Sequence, residues 1–347
     1  MKILYGVQAT GNGHITRARA MAAAFAKTDI QVDFLFSGRP REELFDMQAF
    51  GDFQVRRGIT FATGSGRVIW SKTLLKNNLF QLLRDTAELD ASSYDLVISD
   101  YEPITARAGK RAGIKVIGLG HQYAFTFSRV PMCRTTPVHR WVMNNLAPAD
   151  IALGLHWDQF DCPVLPPIAP VEHFECSVEK GLNLVYLPFE NLDSIAQFLG
   201  NFADYNFIVY HPDATHSDRG NISFRPPSRI GFQEDLHRAE AVICNAGFEL
   251  PSEALQLGKK LLVKPVAQQM EQQSNAIALE HLNLGSSMSA LDISATAKWL
   301  ASSASSKVTY PDVAQYLVDW IVSGRNQSIA HISSQLWDAT KTEHFSS

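Results

Sequence analysis

The sequence predicts an α/β protein built from two doubly wound domains. A length of 347 residues suits roughly two domains, and short apolar runs alternate twice with helix-forming segments, as they do around parallel sheets. Between the two series, residues 162–170 hold four prolines, which is typical of a linker. We therefore place the first domain at residues 1–165 and the second at 166–325. We expect residues 326–347 to form a C-terminal helix that packs back on the first domain.

The composition favours a globular protein without a membrane span. Hydrophobic residues make up 46% and charged residues 19% of the chain, so disorder is not expected. No apolar run reaches the roughly 18 residues that a transmembrane helix needs, and no secretory signal precedes the first strand, so we expect a cytoplasmic chain. The four cysteines lack C-x-x-C spacing and are interpreted as reduced thiols. We predict neither a bound metal nor a nucleic-acid partner.

Charge is distributed unevenly between the two halves of the chain. Residues 1–165 hold 19 Lys and Arg against 15 Asp and Glu, a net charge of +4, whereas residues 166–347 hold 12 against 20, a net charge of −8. An anionic partner or an acidic membrane surface would therefore meet the first half. A surface without any partner would give the same asymmetry, so peripheral membrane contact is one of two interpretations.

The first strand leads into a glycine loop and a histidine. Residues 2–8 are a short apolar run, and the loop that contains Gly11, Gly13 and His14 precedes a segment rich in helix formers. His14 should therefore stand at a helix start beside the carboxyl end of the first strand, where open α/β sheets bind ligands. A histidine there can serve as a general base, although one that only caps the helix fits the pattern as well. The two glycines fall short of the dinucleotide-binding spacing G-x-G-x-x-G.

Two further strands and a basic amphipathic helix are predicted next. Residues 32–38 are predicted as the second strand and residues 53–61 as the third. The following stretch predicts a helix in which apolar side chains alternate with Arg67, Lys72 and Lys76. Such a helix either packs its apolar face on the sheet or rests on anionic lipid.

An acidic residue ends a later strand at the same edge of the sheet. Four apolar residues lead through Ser99 into Asp100, and the carboxyl ends of neighbouring strands lie close together in a doubly wound sheet. We therefore expect Asp100 to orient His14 as a base.

A loop of aromatic and polar residues follows the next strand. That strand is predicted at residues 114–120, and the loop begins with His121, Gln122 and Tyr123. Loops at the carboxyl edge of a sheet carry function disproportionately, so we predict these three side chains as ligand contacts. An ordinary lid over the core would have the same composition.

The second half repeats the alternation and ends it in a glycine turn and a helix. Its predicted elements are strands at 182–187, 207–210 and 241–244 and helices at 192–199 and 236–239. Gly247 lets backbone approach a ligand closely, and free N–H groups at the next helix N-terminus favour an anion such as a diphosphate. Glu253, on the first turns of that helix, can accept hydrogen bonds from paired ribose hydroxyls. Because such junctions also occur in proteins that bind nothing, the pattern alone leaves both interpretations open.

Three motifs in this order resemble those of the two-Rossmann-domain (GT-B) glycosyltransferases. They are the glycine loop that ends at His14, the strand end from Ser99 to Pro103, and the turn and helix with Gly247 and Glu253. The chain is most similar to glycosyltransferase family 28, the group that includes the peptidoglycan N-acetylglucosaminyltransferase. The resemblance covers nearly the whole chain and implies two Rossmann-like, doubly wound domains that face a central cleft.

The resemblance also implies roles for individual residues. In the first domain it places Gly11 and Gly13 near the donor phosphates, with His14 as a candidate base and Asp100 as the acid that orients it; we assign His121, Gln122 and Tyr123 to the acceptor. In the second domain, the residues implied to hold the nucleotide sugar are Phe232, Gly247, Phe248, Glu249, Glu253, Gln268, Gln269, Glu271 and Gln272.

The resemblance leaves the sugar open. Glu271 stands where relatives carry Asp or Gln, and the loop between Pro265 and Asn275 is one residue shorter than in the peptidoglycan enzyme. The identity of the sugar is therefore not implied.

The residues and the resemblance together predict an inverting, metal-independent glycosyltransferase. It would move a sugar from a nucleotide sugar, UDP-linked in our prediction, to an unknown hydroxyl acceptor in cell-envelope or polysaccharide synthesis. The donor would act as co-substrate, with no cofactor. Two alternatives stay open: a nucleotide-sugar 2-epimerase, which shares the fold, and a nonenzymatic nucleotide-sugar-binding protein. The nucleotide base, the acceptor and the oligomeric state are not predicted.

Overall fold

The computed structural model describes residues 1–59, 63–64, 67–68, 79–172 and 174–345. The chain divides into two compact units. Unit 1 comprises Met1–Ala62, Ile69–Pro170 and Tyr310–Ala339, and unit 2 comprises Thr63–Val68, Val171–Thr309 and Thr340–Ser347.

The elements are numbered along the chain. The strands are β1 (Lys2–Gln8), β2 (Gln31–Ser37), β3 (Gln54–Arg56), β4 (Thr63–Gly64), β5 (Arg67–Val68), β6 (Leu96–Asp100), β7 (Val116–Gly120), β8 (Ile151–Gly154), β9 (Glu179–Tyr186), β10 (Asn206–Tyr210), β11 (Ser217–Arg219), β12 (Ile222–Arg225), β13 (Ala239–Asn245), β14 (Lys260–Lys264), β15 (Ser286–Ser287), β16 (Ser305–Thr309) and β17 (Lys341–Phe345). The α-helices are α1 (Asn12–Phe25), α2 (Leu79–Glu88), α3 (Pro103–Ala112), α4 (Pro137–Asn145), α5 (Leu192–Leu199), α6 (Arg229–Arg238), α7 (Glu249–Gln256), α8 (Met270–His281), α9 (Ile293–Ala301), α10 (Val313–Val322) and α11 (Ile329–Asp338). Short 3₁₀-helices lie at Arg41–Glu43, Gln48–Phe50 and His121–Thr126.

Unit 1 is organised around a sheet with the strand order β3-β2-β1-β6-β7-β8. All of its neighbouring strands pair in parallel. Their side chains are apolar on both faces, and Ile3, Leu4, Leu96 and Ile98 are buried. The chain moves outward from β1 in one direction and from β6 in the other, so the strand order reverses between β1 and β6. In open α/β sheets, ligands bind at the carboxyl ends of the strands beside such a switch point.

Local sequence explains where the helix after β6 begins and ends. The buried Glu102 side chain caps α3, because its carboxylate accepts hydrogen bonds from the backbone N–H groups of Ile104 and Thr105 at 3.0 and 2.6 Å. Pro103 occupies the first helical position, where its missing N–H costs nothing. Gly113 ends the helix in the left-handed region, with φ of +71°. The capping contacts therefore also hold the loop that follows Asp100.

Unit 2 contains a sheet with the order β11-β12-β10-β9-β13-β14-β15. Its pairs are parallel except for the β11–β12 hairpin. The strand order reverses between β9 and β13, so the residues after Tyr186 and after Asn245 lie at the switch point. A cluster that includes Val185, Ile243 and Leu262 forms the core of the unit.

The two sheets confirm the predicted α/β class, and the differences concern single elements. Helix α5 has the predicted bounds, but α6 begins earlier than the predicted helix at 236–239, because Ser228 caps its N-terminus by accepting from the Gly231 N–H at 3.2 Å. The hairpin of β11 and β12 was not predicted, and the third strand is shorter than expected. Arg67 lies in β5 and not in the predicted basic helix, and the part of that helix with Lys72 and Lys76 lies outside the described residues.

The C-terminal region differs from the predicted division. Helix α10, which lies within the predicted second domain, belongs to unit 1, where it packs against α1 and Gln315 accepts from Lys27 Nζ at 2.9 Å. Helix α11 follows in the same unit, and Ser333 Oγ and Trp337 Nε1 both donate to the Val164 carbonyl, at 2.7 and 2.8 Å. The predicted helix at 326–347 nevertheless ends at Asp338, because β17 pairs antiparallel with β16 in unit 2.

No helix in the described ranges combines the length and the apolar character that a membrane span requires. The four cysteines are free thiols. Cys244 is buried in β13, and burial raises the pKa of its thiol.

Candidate functional site

The switch point of unit 1 brings together two side chains from separate elements. His14 stands in the first turn of α1, directly after β1, and Asp100 is the last residue of β6, the strand that pairs with β1. His14 Nδ1 lies 2.6 Å from Asp100 Oδ1. The structure therefore places this pair in hydrogen-bonding contact, as expected for a histidine that an aspartate orients.

Arg17 is a third member of the cluster that sequence reasoning missed. It lies one helical turn after His14, and its guanidinium forks onto Asp100, with Nε 2.8 Å from Oδ2 and Nη2 2.5 Å from Oδ1. Arg17 Nη2 also lies 2.9 Å from His14 Nδ1. A signal existed in the sequence, because a cation three residues after His14 falls on the same helix face.

Accessibility separates the three side chains. The side chain of His14 is 15% exposed, whereas those of Arg17 and Asp100 are 1% and 0% exposed. His14 is therefore the member of the cluster that a reactant can reach, and the other two form its support.

The charges of the cluster keep Asp100 ionised. Burial alone would raise the pKa of Asp100, but Arg17 and His14 outweigh burial, and the pKa lies below its usual value. His14 Nδ1 can donate a hydrogen to an ionised Asp100, and in that tautomer the lone pair of Nε2 is available. Burial and the negative charge of Asp100 raise the pKa of Tyr5 well above its usual value, so that the phenol stays neutral.

The loop after β7 is buried, which corrects part of the prediction for it. His121 Nδ1 lies 2.8 Å from the Leu155 carbonyl oxygen and Tyr123 Oη donates to the Ala147 carbonyl at 2.9 Å, and both side chains are buried. Such contacts within the fold account for His121 and Tyr123 as supports, not as side chains that face an acceptor. Gln122 is also buried; a Cβ built on Gly120 would lie 3.1 Å from Gln122 Oε1 and 3.4 Å from Arg17 Nη2, so Gln122 lies beside the cluster.

A second buried histidine completes this support. The rings of His121 and His156 lie 4.8 Å apart. Burial, with a smaller effect of His121, holds the pKa of His156 well below its usual value. His156 is therefore neutral, and its Nδ1 accepts the Trp157 N–H at 2.8 Å.

In unit 2, a glycine turn and a helix start occupy the switch point. Helix α7 begins at Glu249, just after Gly247 and Phe248. Nothing lies within 4 Å of a Cβ built on Gly247, and the φ of Gly247 is not positive. The open space beside Gly247, and not its backbone conformation, therefore distinguishes this position. Gly258, in contrast, has a left-handed conformation just after the end of the helix, with φ of +69°.

Glu253 lies on α7 in a buried position. Its Oε2 accepts a hydrogen bond from Gln233 Nε2 at 2.8 Å. Burial raises the pKa of Glu253 to about 7, and Glu249 and Glu172 add to the increase. Phe232, which precedes Gln233 in α6, packs edge-on against Tyr186 and Tyr210, and its ring centroid lies 5.4 and 5.1 Å from theirs.

The raised pKa of Glu253 predicts a stability change with pH. The carboxyl group of the unfolded chain ionises near its ordinary pKa of 4.5, but that of the folded chain ionises only near 7, so the stabilising effect is complete at low pH and lost as pH rises through 7. We expect Glu253→Gln to raise the free energy of unfolding relative to wild type by about 3 kcal/mol at pH 8. At pH 4 the two should differ little on this account. Urea unfolding at both pH values measures the difference, and the same difference at both would contradict it.

In the loop with the predicted sugar contacts, some side chains form hydrogen bonds with the backbone of the same segment. Gln269 Oε1 caps α8 by accepting from the Gln272 N–H at 2.5 Å, and Gln272 Oε1 accepts from the Val266 N–H at 2.9 Å. These contacts use the carbonyl oxygens of both side chains, and the predicted contacts of their Nε2 groups with a sugar stay a prediction. Gln268 is exposed and has φ of +65°, and Glu271 is half-buried in the first turn of α8.

A polar cluster at the carboxyl ends of four strands in unit 2 was also missed. Lys264 Nζ pairs with Glu190 Oε1 at 2.5 Å, and both side chains are nearly buried. His211 Nε2 lies 3.0 Å from the Glu190 carbonyl oxygen, and Asn245 Nδ2 donates to the Lys264 carbonyl at 2.9 Å. Lys264, His211 and Asn245 carry the signal that identified Asp100, a polar residue at the end of an apolar strand or directly after it.

Within the part of the chain that the structure describes, no group of three or more His, Cys, Asp and Glu side chains is arranged to hold a metal ion.

Over nearly its whole length the chain has the fold of GT-B glycosyltransferases with two Rossmann-like domains. The glycosyltransferase SnogD from Streptomyces nogalater is similar, with 12% sequence identity and a TM-score of 0.52 over 98% of this chain and 99% of that chain. MurG from Acinetobacter baumannii has 14% identity and a TM-score of 0.52 over 97% of this chain and 99% of that chain. The glycosyltransferase VinC in complex with DTDP has 12% identity and a TM-score of 0.53 over 97% of this chain and 99% of that chain. No curated protein matches the sequence.

The family model described as glycosyl transferase family 1 matches residues 1–145 and 161–302. The chain belongs to this family and is a glycosyltransferase. The resemblance to GT-B glycosyltransferases that the motifs indicated is thus confirmed, whereas the family 28 subgroup stays a prediction.

Proposed function

We propose that this glycosyltransferase transfers a sugar from a UDP-linked donor to a hydroxyl acceptor with inversion at the anomeric carbon, and that His14 is the general base. The observation that carries the proposal is the cluster at the switch point of unit 1. An accessible histidine there is held by an ionised, buried aspartate, which a buried arginine holds in turn.

The proposed step is a single displacement. His14 Nε2 takes the proton of the acceptor hydroxyl while the hydroxyl oxygen bonds to the anomeric carbon. The bond from that carbon to the diphosphate oxygen breaks, and the electron pair leaves with the nucleoside diphosphate. Attack from the side opposite the leaving group inverts the configuration. Asp100 keeps the proton on Nδ1 and stabilises the imidazolium that forms, and Arg17 fixes the two oxygens of Asp100.

The donor would be held by unit 2. The open space beside Gly247 and the positive end of the α7 dipole suit a diphosphate, whose developing charge the helix start would stabilise. Glu253 would accept hydrogen bonds from the ribose hydroxyls, and Phe232 would pack against the base. We propose that this electrostatic assistance suffices without a metal ion.

The role of Glu253 can be tested through the 2′-hydroxyl of the donor. A hydrogen bond to a charged group contributes about 1.5–3 kcal/mol, so wild type should bind UDP roughly tenfold or more tightly than 2′-deoxy-UDP. In Glu253→Ala, UDP binding should weaken and the preference for UDP should disappear. Calorimetric titration of both proteins with both nucleotides forms a complete cycle. If Glu253→Ala kept the wild-type preference for UDP, the ribose contact would be wrong.

The class of reaction can be tested with the donor alone and then with an acceptor. A 2-epimerase would convert a UDP-sugar without any acceptor, and a binding protein would leave it unchanged in both cases. We expect UDP release only when cell-envelope extract is added, in EDTA as well as in Mg²⁺. Each donor sugar can first be ranked by its thermal shift, because a ligand that binds only the folded chain stabilises it.

A further inference from the structure

Unit 1 contains a cavity of about 720 Å³ that the proposed function does not yet use. Residues 125–135, which comprise the end of the 3₁₀-helix and the segment after it, line one side, and Arg140, Met143 and Asn144 of α4 line the other. A volume of this size suits a ligand of roughly 300–1,000 Å³, the range of ordinary small-molecule sites.

One wall of the cavity is apolar. Phe127, Met132 and Met143 are partly buried and pack on a buried cluster that includes Phe125 and Val130. Methionine side chains adapt their shape to different apolar ligands. This wall therefore suits a chain or ring without a fixed polar pattern.

The rest of the lining carries positive charge without acids. Between Glu102 and Asp150 the sequence has seven Lys and Arg and no Asp or Glu, and three of those cations, Arg129, Arg134 and Arg140, line the cavity.

The contacts of these arginines leave most of that charge uncompensated. Arg129 pairs with Asp161 at 3.0 Å, but both side chains are largely exposed, and such pairs are weak. Arg140 Nε donates to the neutral Thr135 Oγ1 at 3.3 Å. The exposed Arg134 and Arg140 therefore give the lining a net attraction for anions.

Packed side chains connect the lining of the cavity to the support of His14. Phe125 packs edge-on against His121, with ring centroids 4.7 Å apart. His121 directly follows Gly120, and a Cβ built there would lie 3.4 Å from Arg17 Nη2. The lining therefore begins at the carboxyl edge of the sheet that carries Asp100.

We propose that this cavity binds an anionic amphiphile and that the acceptor of the reaction belongs to this class. The apolar part lies against Phe127, Met132 and Met143, and a phosphate or carboxylate is bound by Arg134 and Arg140, whose planar guanidinium groups suit both anions. The assignment as acceptor rests on the proposed function, but the binding of the amphiphile does not.

The binding test uses dodecyl phosphate as a monomer, below its micellar concentration, on the full chain. Wild type should bind dodecyl phosphate. It should bind dodecanol and inorganic phosphate far more weakly, because dodecanol lacks the anionic group and inorganic phosphate lacks the apolar chain. The double variant Arg134→Gln and Arg140→Gln should bind dodecyl phosphate roughly 10- to 100-fold more weakly. Its urea unfolding should match that of wild type, which shows that the variant is folded, and its affinity for UDP should be unchanged. Arg84→Gln, an exposed cation outside the cavity, is the matched control and should bind the probe normally.

Three results would overturn the proposal. The first is equal affinity of wild type and double variant for dodecyl phosphate, including a lack of binding to both. The second is binding to vesicles of anionic lipid without binding of the monomer, which would replace the cavity by a membrane surface. The third concerns the acceptor assignment: dodecyl phosphate should inhibit transfer competitively with the acceptor, and full transfer with the cavity saturated would remove that assignment. Because UDP binding is measured separately, failure of the cavity can be distinguished from failure of the donor site.

Discussion

Replacement of His14 by alanine is expected to lower kcat by about 10²- to 10⁴-fold, the usual contribution of a general base. His14 is the accessible member of its cluster, and no other side chain of that cluster can take the acceptor proton, because Asp100 and Arg17 are buried and paired. The affinity for UDP should stay unchanged, since the proposed nucleotide contacts lie in unit 2. UDP release in the presence of acceptor, together with calorimetric titration of UDP, measures both quantities.

A matched control is available in the same unit. His331 is exposed near the start of α11, and His331→Ala should keep the wild-type kcat. His14→Gln preserves a polar side chain of similar reach without a base and should be as slow as His14→Ala. A His14→Ala enzyme with the kcat of wild type would remove the assignment of the base.

Arg17→Met is expected to destabilise the fold by about 3–5 kcal/mol, because it leaves the buried Asp100 without its cation. In wild type the pKa of Asp100 is lowered, so its contribution to stability is present at neutral pH and lost as pH falls through that pKa. Without Arg17, burial should raise the pKa instead, and the variant should lose stability as pH rises. Urea unfolding at pH 5 and pH 8 should therefore give the larger deficit at pH 8.

A second substitution tests whether the Arg17→Met variant loses stability through the unpaired charge of Asp100 or through lost packing. Asp100→Asn in the Arg17→Met background removes the unpaired charge and should recover much of the lost stability, with a deficit that no longer grows with pH. Arg84→Met, which breaks an exposed pair with Glu88, should leave stability unchanged. An Arg17→Met deficit that is the same at both pH values would contradict the account of Asp100.

The contact of His14 with Asp100 could be predicted because it depends on topology. Parallel strands put their carboxyl ends at one edge, so a residue after β1 and the last residue of β6 meet wherever the strand order reverses between them. Arg17 could not be identified in the same way. A cation in a helix normally lies in solvent, and only the depth at which α1 packs on the sheet brings this one onto Asp100.

Polar loop residues were the least predictable part of the site. Sequence alone does not say whether an amide faces a ligand or its own backbone, and Gln269 and Gln272 use their oxygens to hold the start of α8. His121 and Tyr123 likewise satisfy backbone carbonyls in the interior. Glu253 differs, because a buried carboxylate with a raised pKa marks a position kept at a cost in stability.

The boundaries between the two units could be predicted only where the nearby sequence marks them. The proline-rich stretch marks a break in the series of strands and helices, and unit 1 has a boundary at Pro170 within that region. The inclusion of α10 in unit 1 has no such signal, because it depends on side chains of α1 that are far away in the sequence.

Transfer of a labelled sugar from its UDP donor to an acceptor tests the central claim most directly. With wild type, the label should move to the acceptor in the inverted configuration with one UDP released for each sugar, and with His14→Ala it should remain on the nucleotide. Return of the label as an epimer of the donor, or equal transfer by wild type and His14→Ala, would contradict the account.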